Sequence, residues 1–174
     1  IEQGRFGKLT LCDAYIKWWR TQDYYDSGAW RGTWELDGGG ALMNQGIHAI
    51  DLLQWLVGMP SEVSAHIATL VHSRIQVEDT AVVALKYPNG ALGVIEGATS
   101  SWPGFLKRIE VSGEKGSAIL EDDRLILWKF DKETAEDEAV RARASQTSSI
   151  GGGASDPKAI STEGHRVQMQ DLVD

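Results

Sequence analysis

Two periodicities divide the chain. Residues 8–20, KLTLCDAYIKWWR, alternate in steps of two through Leu9, Leu11, Asp13, Tyr15, Lys17 and Trp19, which predicts a β-strand. Residues 41–57, ALMNQGIHAIDLLQWLV, change to a helical period: Leu42, Ile50, Leu53 and Val57 fall near one face, and Met43, Ile47 and Leu56 widen it. Asp37 and the glycines after it supply the entry turn, and Gly58 and Pro60 end the helix. Gly46 inside it costs roughly 1 kcal/mol against alanine and marks close approach to the backbone. After Pro60 the period of two returns in VSAHIATLVH, DTAVVALKY, ALGVIEGATS, KRIEVSG, SAILED and RLILWKF. Turn signals at Pro88-Asn89-Gly90, at Gly113-Glu114-Lys115-Gly116 and at Asp122-Asp123 separate the later runs, so hairpins are predicted.

Two stretches lack either period. Residues 21–40 form a loop dense in glycine, aspartate and aromatic side chains, and a loop that long inside a domain points to function. Residues 131–160 are polar, with the run SQTSSIGGGAS, and are predicted as a long, partly mobile surface loop. Residues 163–173 start a further helix. The fold class expected is α+β: an open-faced, largely antiparallel sheet with one long helix and shorter helices on one face. The 174 residues suit one domain.

Charge and composition narrow the function. A net charge of -8 repels nucleic acid and anionic lipid, so neither is an expected partner. No apolar run approaches the ~20 residues of a membrane span. The single cysteine, Cys12, excludes an internal disulfide framework and fits a reducing cytoplasm. It alternates into the first strand as a small buried hydrophobe. The opening IEQGRFGKL lacks the apolar core of a signal peptide, and both ends read as cuts in a longer protein.

Candidate chemistry gathers at residues 38–55. Asn44 and His48 are spaced i, i+4 and share a helix face, and Asp51 adjoins it. Such a strip lines a pocket, where histidine exchanges a proton and asparagine holds a hydroxyl. Equally, it is a satisfied histidine whose tautomer Asp51 fixes, and spacing alone favours that second reading. Just upstream, Trp18, Trp19, Tyr24, Tyr25, Trp30 and Trp34 crowd together with Arg20 and Arg31. Aromatic faces stack on sugar rings and arginine forks grip carboxylate or phosphate; packing is the competing use. Arg20, Tyr24 and Trp30 are the favoured functional members. His66 and His72 fall six apart in a strand pattern, with no further ligand at metal-binding spacing. There is no G-x-S-x-G elbow and no G-x-G-x-x-G; Gly38-Gly39-Gly40 and Gly151-Gly152-Gly153 lack a phosphate site's strand–turn–helix setting.

Taken in order, these residues resemble the Gfo/Idh/MocA oxidoreductase family. The likeness runs through Gly4 to Leu9, the aromatic loop with Trp30-Arg31-Gly32-Thr33-Trp34, then Gly38-Gly39-Gly40, Asn44, His48, Asp51 and Trp55-Leu56-Val57-Gly58. It continues through Glu78-Asp79-Thr80, Asn89-Gly90, the Gly113–Gly116 hairpin and Glu163-Gly164-His165, leaving out residues 131–160. The resemblance implies the C-terminal domain, residues 1–174, of a two-domain enzyme, with the NAD(P)-binding Rossmann domain and the last C-terminal helix missing or cut short. It implies hydride transfer between a nicotinamide, NAD or NADP, and the hydroxyl carbon of a sugar, polyol or nucleotide sugar. His48 and Asn44 then take catalytic positions, and Arg20, Tyr24, Trp30, Arg31, Asp51 and His165 bind substrate. The chain departs from the family where Asn44 stands at a position that is aspartate in inositol-dehydrogenase-like members. Asparagine exchanges no proton, so that work falls to His48 and to a lysine outside this chain. Two alternatives stay open: a non-catalytic module that assembles into a homo-oligomer through its open sheet face, and cofactor-assisted glycoside cleavage or elimination.

Overall fold

The computed structural model describes residues 1–122, 124–146, 153–157 and 163–173. Strands β1 (Leu9–Lys17), β2 (Glu62–Ala68), β3 (Thr80–Lys86), β4 (Leu92–Ala98), β5 (Arg108–Gly113), β6 (Gly116–Glu121) and β7 (Arg124–Phe130) join one sheet. Their order is β2-β3-β4-β1-β5-β6-β7. The β1–β4 pair is parallel and the other neighbours are antiparallel. The expected hairpins form. Gly90 takes a positive φ of 85° between β3 and β4, and Asn89 accepts the Ala91 amide at 3.0 Å.

Alternation along β1 decides which face is covered. Cys12, Ala14 and Ile16 are wholly buried, while Leu11 on the opposite face is half exposed. Register places Ala14 beside Ile95 and Ile109, and Cys12 beside Val111, so these side chains share the covered face. Helix α2 (Ile47–Val57) lies across that face through Ala49 and Leu53, four residues apart and both buried. Leu53, only 2 % exposed, contributes roughly 2 kcal/mol by its removal from water. Burial also pushes the Cys12 thiol up to about 11, with Asp13 adding to the effect.

Four expectations are corrected here. The stretch 21–40 is not all loop, because α1 (Gln22–Asp26) forms at its start behind Thr21, whose hydroxyl accepts the Tyr24 amide. The helix over 41–57 is not uniform: Leu42–Gly46 is π-helical and α2 follows it. His72 lies in no strand, unlike His66. Within 131–160, residues 135–146 are helix α3 (Ala135–Gln146), not loop.

Asp137 is what makes α3 possible. Its carboxylate accepts the Thr134 amide and hydroxyl at 2.7 and 3.0 Å, one half of a capping box. It also accepts a fork from Arg5 at 2.7 and 2.8 Å and the Trp128 indole N–H at 2.8 Å. The Arg5 contact, backed by these donors, holds this buried carboxyl well below the usual carboxylate range. Helix α4 (Glu163–Val173) forms where expected, and the glycines at 151 and 152 lie outside the described residues.

Candidate active site

Because β1 and β4 run parallel, their C-terminal ends lie side by side, and the chain leaving β1 stays on β4's extension. Trp18 N–H donates to Ala98 O and Arg20 N–H to Thr99 O, each at 2.9 Å. Tyr25 from α1 is buried over this corner, its hydroxyl 2.8 Å from Thr99 Oγ1, and burial pushes its phenol up to about 12. The loop then turns at Gly32, whose φ of 72° and proximity to Ile75 exclude a side chain; a Cβ would lie 2.6 Å from Ile75 Cγ2.

The entry to the long helix depends on a distant strand. A Cβ on Gly40 would fall 1.9 Å from the Glu78 carbonyl oxygen, so only glycine lets the two backbones approach. Glu78, just before β3, then grips the helix start. Its carboxylate accepts Gly40 N–H at 3.1 Å and Leu42 N–H at 3.0 Å, and its carbonyl accepts Ala41 N–H at 2.9 Å. The negative charge complements the positive end of the helix dipole. These amides are the ones a phosphate would use, and they are occupied. This helix entry therefore does not fit the pyrophosphate of a dinucleotide.

A hydrogen-bonded chain links this helix to the aromatic loop. Gln45 Nε2 donates to Tyr24 Oη at 3.3 Å and to Asn44 Oδ1 at 2.9 Å; Asn44 Nδ2 donates to Asp37 Oδ1 at 2.6 Å. The other oxygen of Asp37 accepts Gly32 N–H at 2.8 Å. A carboxylate only accepts, so Asp37 fixes which way the Asn44 amide points. Among the described residues, one N–H and one lone pair of that amide remain without a partner. The wider π-helical turn aims two consecutive side chains, Asn44 and Gln45, at the same loop.

His48 follows at the start of α2. It is exposed, and among the described residues nothing bonds either ring nitrogen. Asp51 is exposed as well and makes no hydrogen bond to His48, so it does not fix a tautomer. Arg20 is placed differently from expectation: it is 2 % exposed, and its Nη1 donates to the carbonyls of Trp19 and Ala154 at 2.8 and 3.2 Å. Its guanidinium lies 5.0 Å from the Trp18 ring and 5.5 Å from that of Tyr24. Arg31 stacks 4.2 Å from Tyr24 and 4.3 Å from the partly exposed Trp30. The structure thus connects Asn44, Tyr24, Trp30, Arg31 and Arg20, and leaves His48 and Asp51 outside that bonded set. His165 lies in α4, and its side chain is outside the described residues.

Behind Arg20 sits a buried pair that the sequence reading missed. His72 Nε2 is 2.8 Å from Arg20 O, and Nδ1 is 3.0 Å from Asp79 Oδ2. Asp79 is fully buried and also accepts the amides of Leu70, Val71 and His72 and the Thr80 hydroxyl. Burial pushes its pKa up, but the donors outweigh this and hold it at about 2. Gln45, Asp37 and Glu78 were missed too. Gln45 did carry a signal, since it precedes Ala49 and Leu53 on the buried i, i+4 stripe. Among the described residues no three histidine, cysteine or acidic groups could hold a metal ion. No helix among them is long and apolar enough to cross a membrane.

Comparison with known proteins places this geometry. A family model described as GFO/IDH/MocA C-terminal domain matches residues 1–119. The WlbA dehydrogenase of Bordetella pertussis, solved with NADH and UDP-GlcNAcA, aligns at a TM-score of 0.76 and 41 % identity, over 83 % of this chain and 42 % of that one. The myo-inositol 2-dehydrogenase of Thermotoga maritima is 37 % identical over 49 % of this chain and 27 % of its own length. The levoglucosan dehydrogenase of Pseudarthrobacter phenanthrenivorans is 28 % identical over 71 % of this chain and 38 % of its own length. The matched region thus spans well under half of each relative.

Proposed function

The chain belongs to the GFO/IDH/MocA family as its C-terminal domain, and on that premise we propose that it supplies the substrate side of an NAD(P)-dependent dehydrogenase acting on a sugar, polyol or nucleotide sugar. The observation that carries this reading is the Asn44 amide, locked by Asp37 and Gln45 one turn before an unbonded, exposed His48. The cofactor would take or give a hydride at the hydroxyl-bearing carbon, and it would be held outside the described residues. Asn44 orients the reacting hydroxyl through its remaining N–H and lone pair. His48 takes up or returns the hydroxyl proton, which needs a ring nitrogen with no protein partner. Trp30, partly exposed, offers ring surface to the sugar, and Tyr24 helps hold Arg31 beside it. Arg20, buried and bonded to backbone, holds Tyr24 in place rather than touching substrate.

The test is His48→Ala in the complete protein that carries this chain, assayed with NAD and NADP against sugars, polyols and nucleotide sugars. The expected result is a fall in kcat of at least ~100-fold, the lower end for loss of a general acid–base group. A near-normal rate would remove His48 from the chemistry.

The opposite sheet face supports self-association. Leu11, Val82 and Leu92 stand half exposed there, and Leu127 is exposed on the same face. Ala84 and Val94 join them, whereas Ile109 and Val111 belong to the covered face. A homo-oligomer burying this surface is the expected assembly, to be read by sedimentation. The cytoplasm is the compartment proposed, and the lone, buried Cys12 fits it.

A further inference from the structure

Arg31 is held in place but, among the described residues, not paired. The rings of Tyr24 and Trp30 lie 4.2 and 4.3 Å from its guanidinium carbon, inside the ~6 Å range of a cation–π contact. Such rings engage a guanidinium without using any of its N–H donors. No described residue gives the Arg31 side chain a hydrogen bond or an ion pair. Among the described residues Arg5, Arg74, Arg108 and Arg141 each meet a carboxylate, and the buried Arg20 bonds backbone carbonyls instead. Acids outnumber bases by 25 to 17, so an arginine without a carboxylate partner runs against the composition.

The surrounding loop fixes this arrangement before any ligand arrives. Arg31 N–H donates to Gly28 O at 3.1 Å, and the Trp30 carbonyl accepts the Thr33 hydroxyl at 2.7 Å. Gly32 accepts Gln76 N–H at 2.7 Å and donates to Asp37, the same carboxylate that orients Asn44. Tyr24, the other wall, is tied to Gln45. A pre-set guanidinium fork loses little freedom on binding, and its geometry matches the two oxygens of a carboxylate or phosphate.

We infer that Arg31, walled by Tyr24 and Trp30, is the subsite for an anionic group, carboxylate or phosphate, carried by the sugar. This rests on the proposed function for the sugar and deepens it by naming the substrate's charge. Arg31 is then a specificity residue, separate from the groups that handle the reacting hydroxyl.

The experiment is calorimetric titration of the complete protein with D-glucose, D-glucuronate and glucose 1-phosphate, for the natural sequence and for Arg31→Gln and Arg31→Lys. At least one anion should bind about 10-fold or more tightly than glucose, and which one does so identifies carboxylate or phosphate as the source. Arg31→Gln should weaken that anion about 10- to 100-fold, the worth of charge-assisted hydrogen bonds, and leave glucose nearly unchanged. Arg31→Lys keeps the charge and the ring contact but not the fork, and should recover only part. Equal binding of all three probes, or an equal loss of glucose and anion in Arg31→Gln, overturns the inference. If Arg31→Gln lowers the melting temperature, Arg31→Lys decides, and full affinity there overturns it. Turnover separates the two readings. Oxidation of neutral and anionic sugars alike sinks this inference and leaves the dehydrogenase. Anion-selective binding with no turnover of any sugar does the reverse.

Discussion

Asp79→Asn should destabilise the domain and disturb the site from behind. In the native carboxylate, Oδ2 accepts the Val71 and His72 amides and faces His72 Nδ1, while Oδ1 accepts the Leu70 amide and the Thr80 hydroxyl. An asparagine keeps one acceptor. The cheaper orientation puts its NH2 where Oδ1 was, since the Thr80 hydroxyl can turn to Ser100 Oγ, 2.6 Å away. The Leu70 amide is then left without a partner, and the bonds that remain lose their charge assistance. An orphaned buried donor costs about 1–3 kcal/mol, so a total of about 2–4 kcal/mol is expected. For a chain of 174 residues that is a fall in Tm of roughly 5–15 °C. Acid should reproduce the effect in the natural protein. The folded pKa of Asp79, about 2, lies below its ordinary 3.8, so its stabilisation is present above that ordinary value and is lost as pH falls through the interval. The shift corresponds to about 2–3 kcal/mol, absent from the variant's own pH profile. Urea unfolding at neutral pH and on acidification checks both halves. A loss under ~1 kcal/mol, or an unaltered acid limb in the variant, would refute the claim that these donors hold the carboxylate charged.

Three smaller perturbations follow from the same structure. Glu78→Gln leaves one of the Gly40 and Leu42 amides facing an NH2, and should cost about 1–2 kcal/mol in chemical denaturation; no change would mean the cap is ornamental. Asp137→Ala removes the cap of α3 and the partner shared by Arg5 and Trp128, so amide exchange over residues 135–146 should accelerate while β1 and β4 stay protected. Asn44→Asp sets a carboxylate against Asp37, where the present contact is 2.6 Å. One of the two must take up a proton on folding, so its folded pKa lies above its unfolded value and the variant's deficit should grow as pH rises from about 5 to about 8. A deficit equal at both pH values would contradict this.

The parts of the fold that the sequence disclosed are those whose cause is local. Strand β1 and the hairpins follow from alternation and from Asn89-Gly90, and α2 follows from a helical stripe that Ala49 and Leu53 complete. Helix α3 has no such stripe; its polar surface is held by Asp137 and by Arg5, 132 residues away. The signal present, Thr134 three residues before Asp137, is short and was hidden in a polar run. The π-helical turn was illegible for a related reason, since the helix start is shaped by Glu78, which arrives from the far side of β2. Arg20 looked like a ligand because arginine beside tryptophan and tyrosine reads the same whether it binds or packs. What buries it is contact with Ala154 and the sheet corner, neither adjacent in sequence.

Position 44 shows how one contact couples the helix to the loop. The carboxylate stands on the loop, as Asp37, and the helix offers the amide that binds it. A second carboxylate on the helix would meet the first at hydrogen-bond distance, so an acid at 44 and an acid at 37 exclude each other as a charged pair. Asp37 is engaged by Gly32 and Asn44 and forms no ion pair with Arg31, the residue preceding Gly32. Among the described residues the neighbouring guanidinium is left unneutralised, while Asp37 fixes both the amide proposed to orient a hydroxyl and the loop that presents the cation.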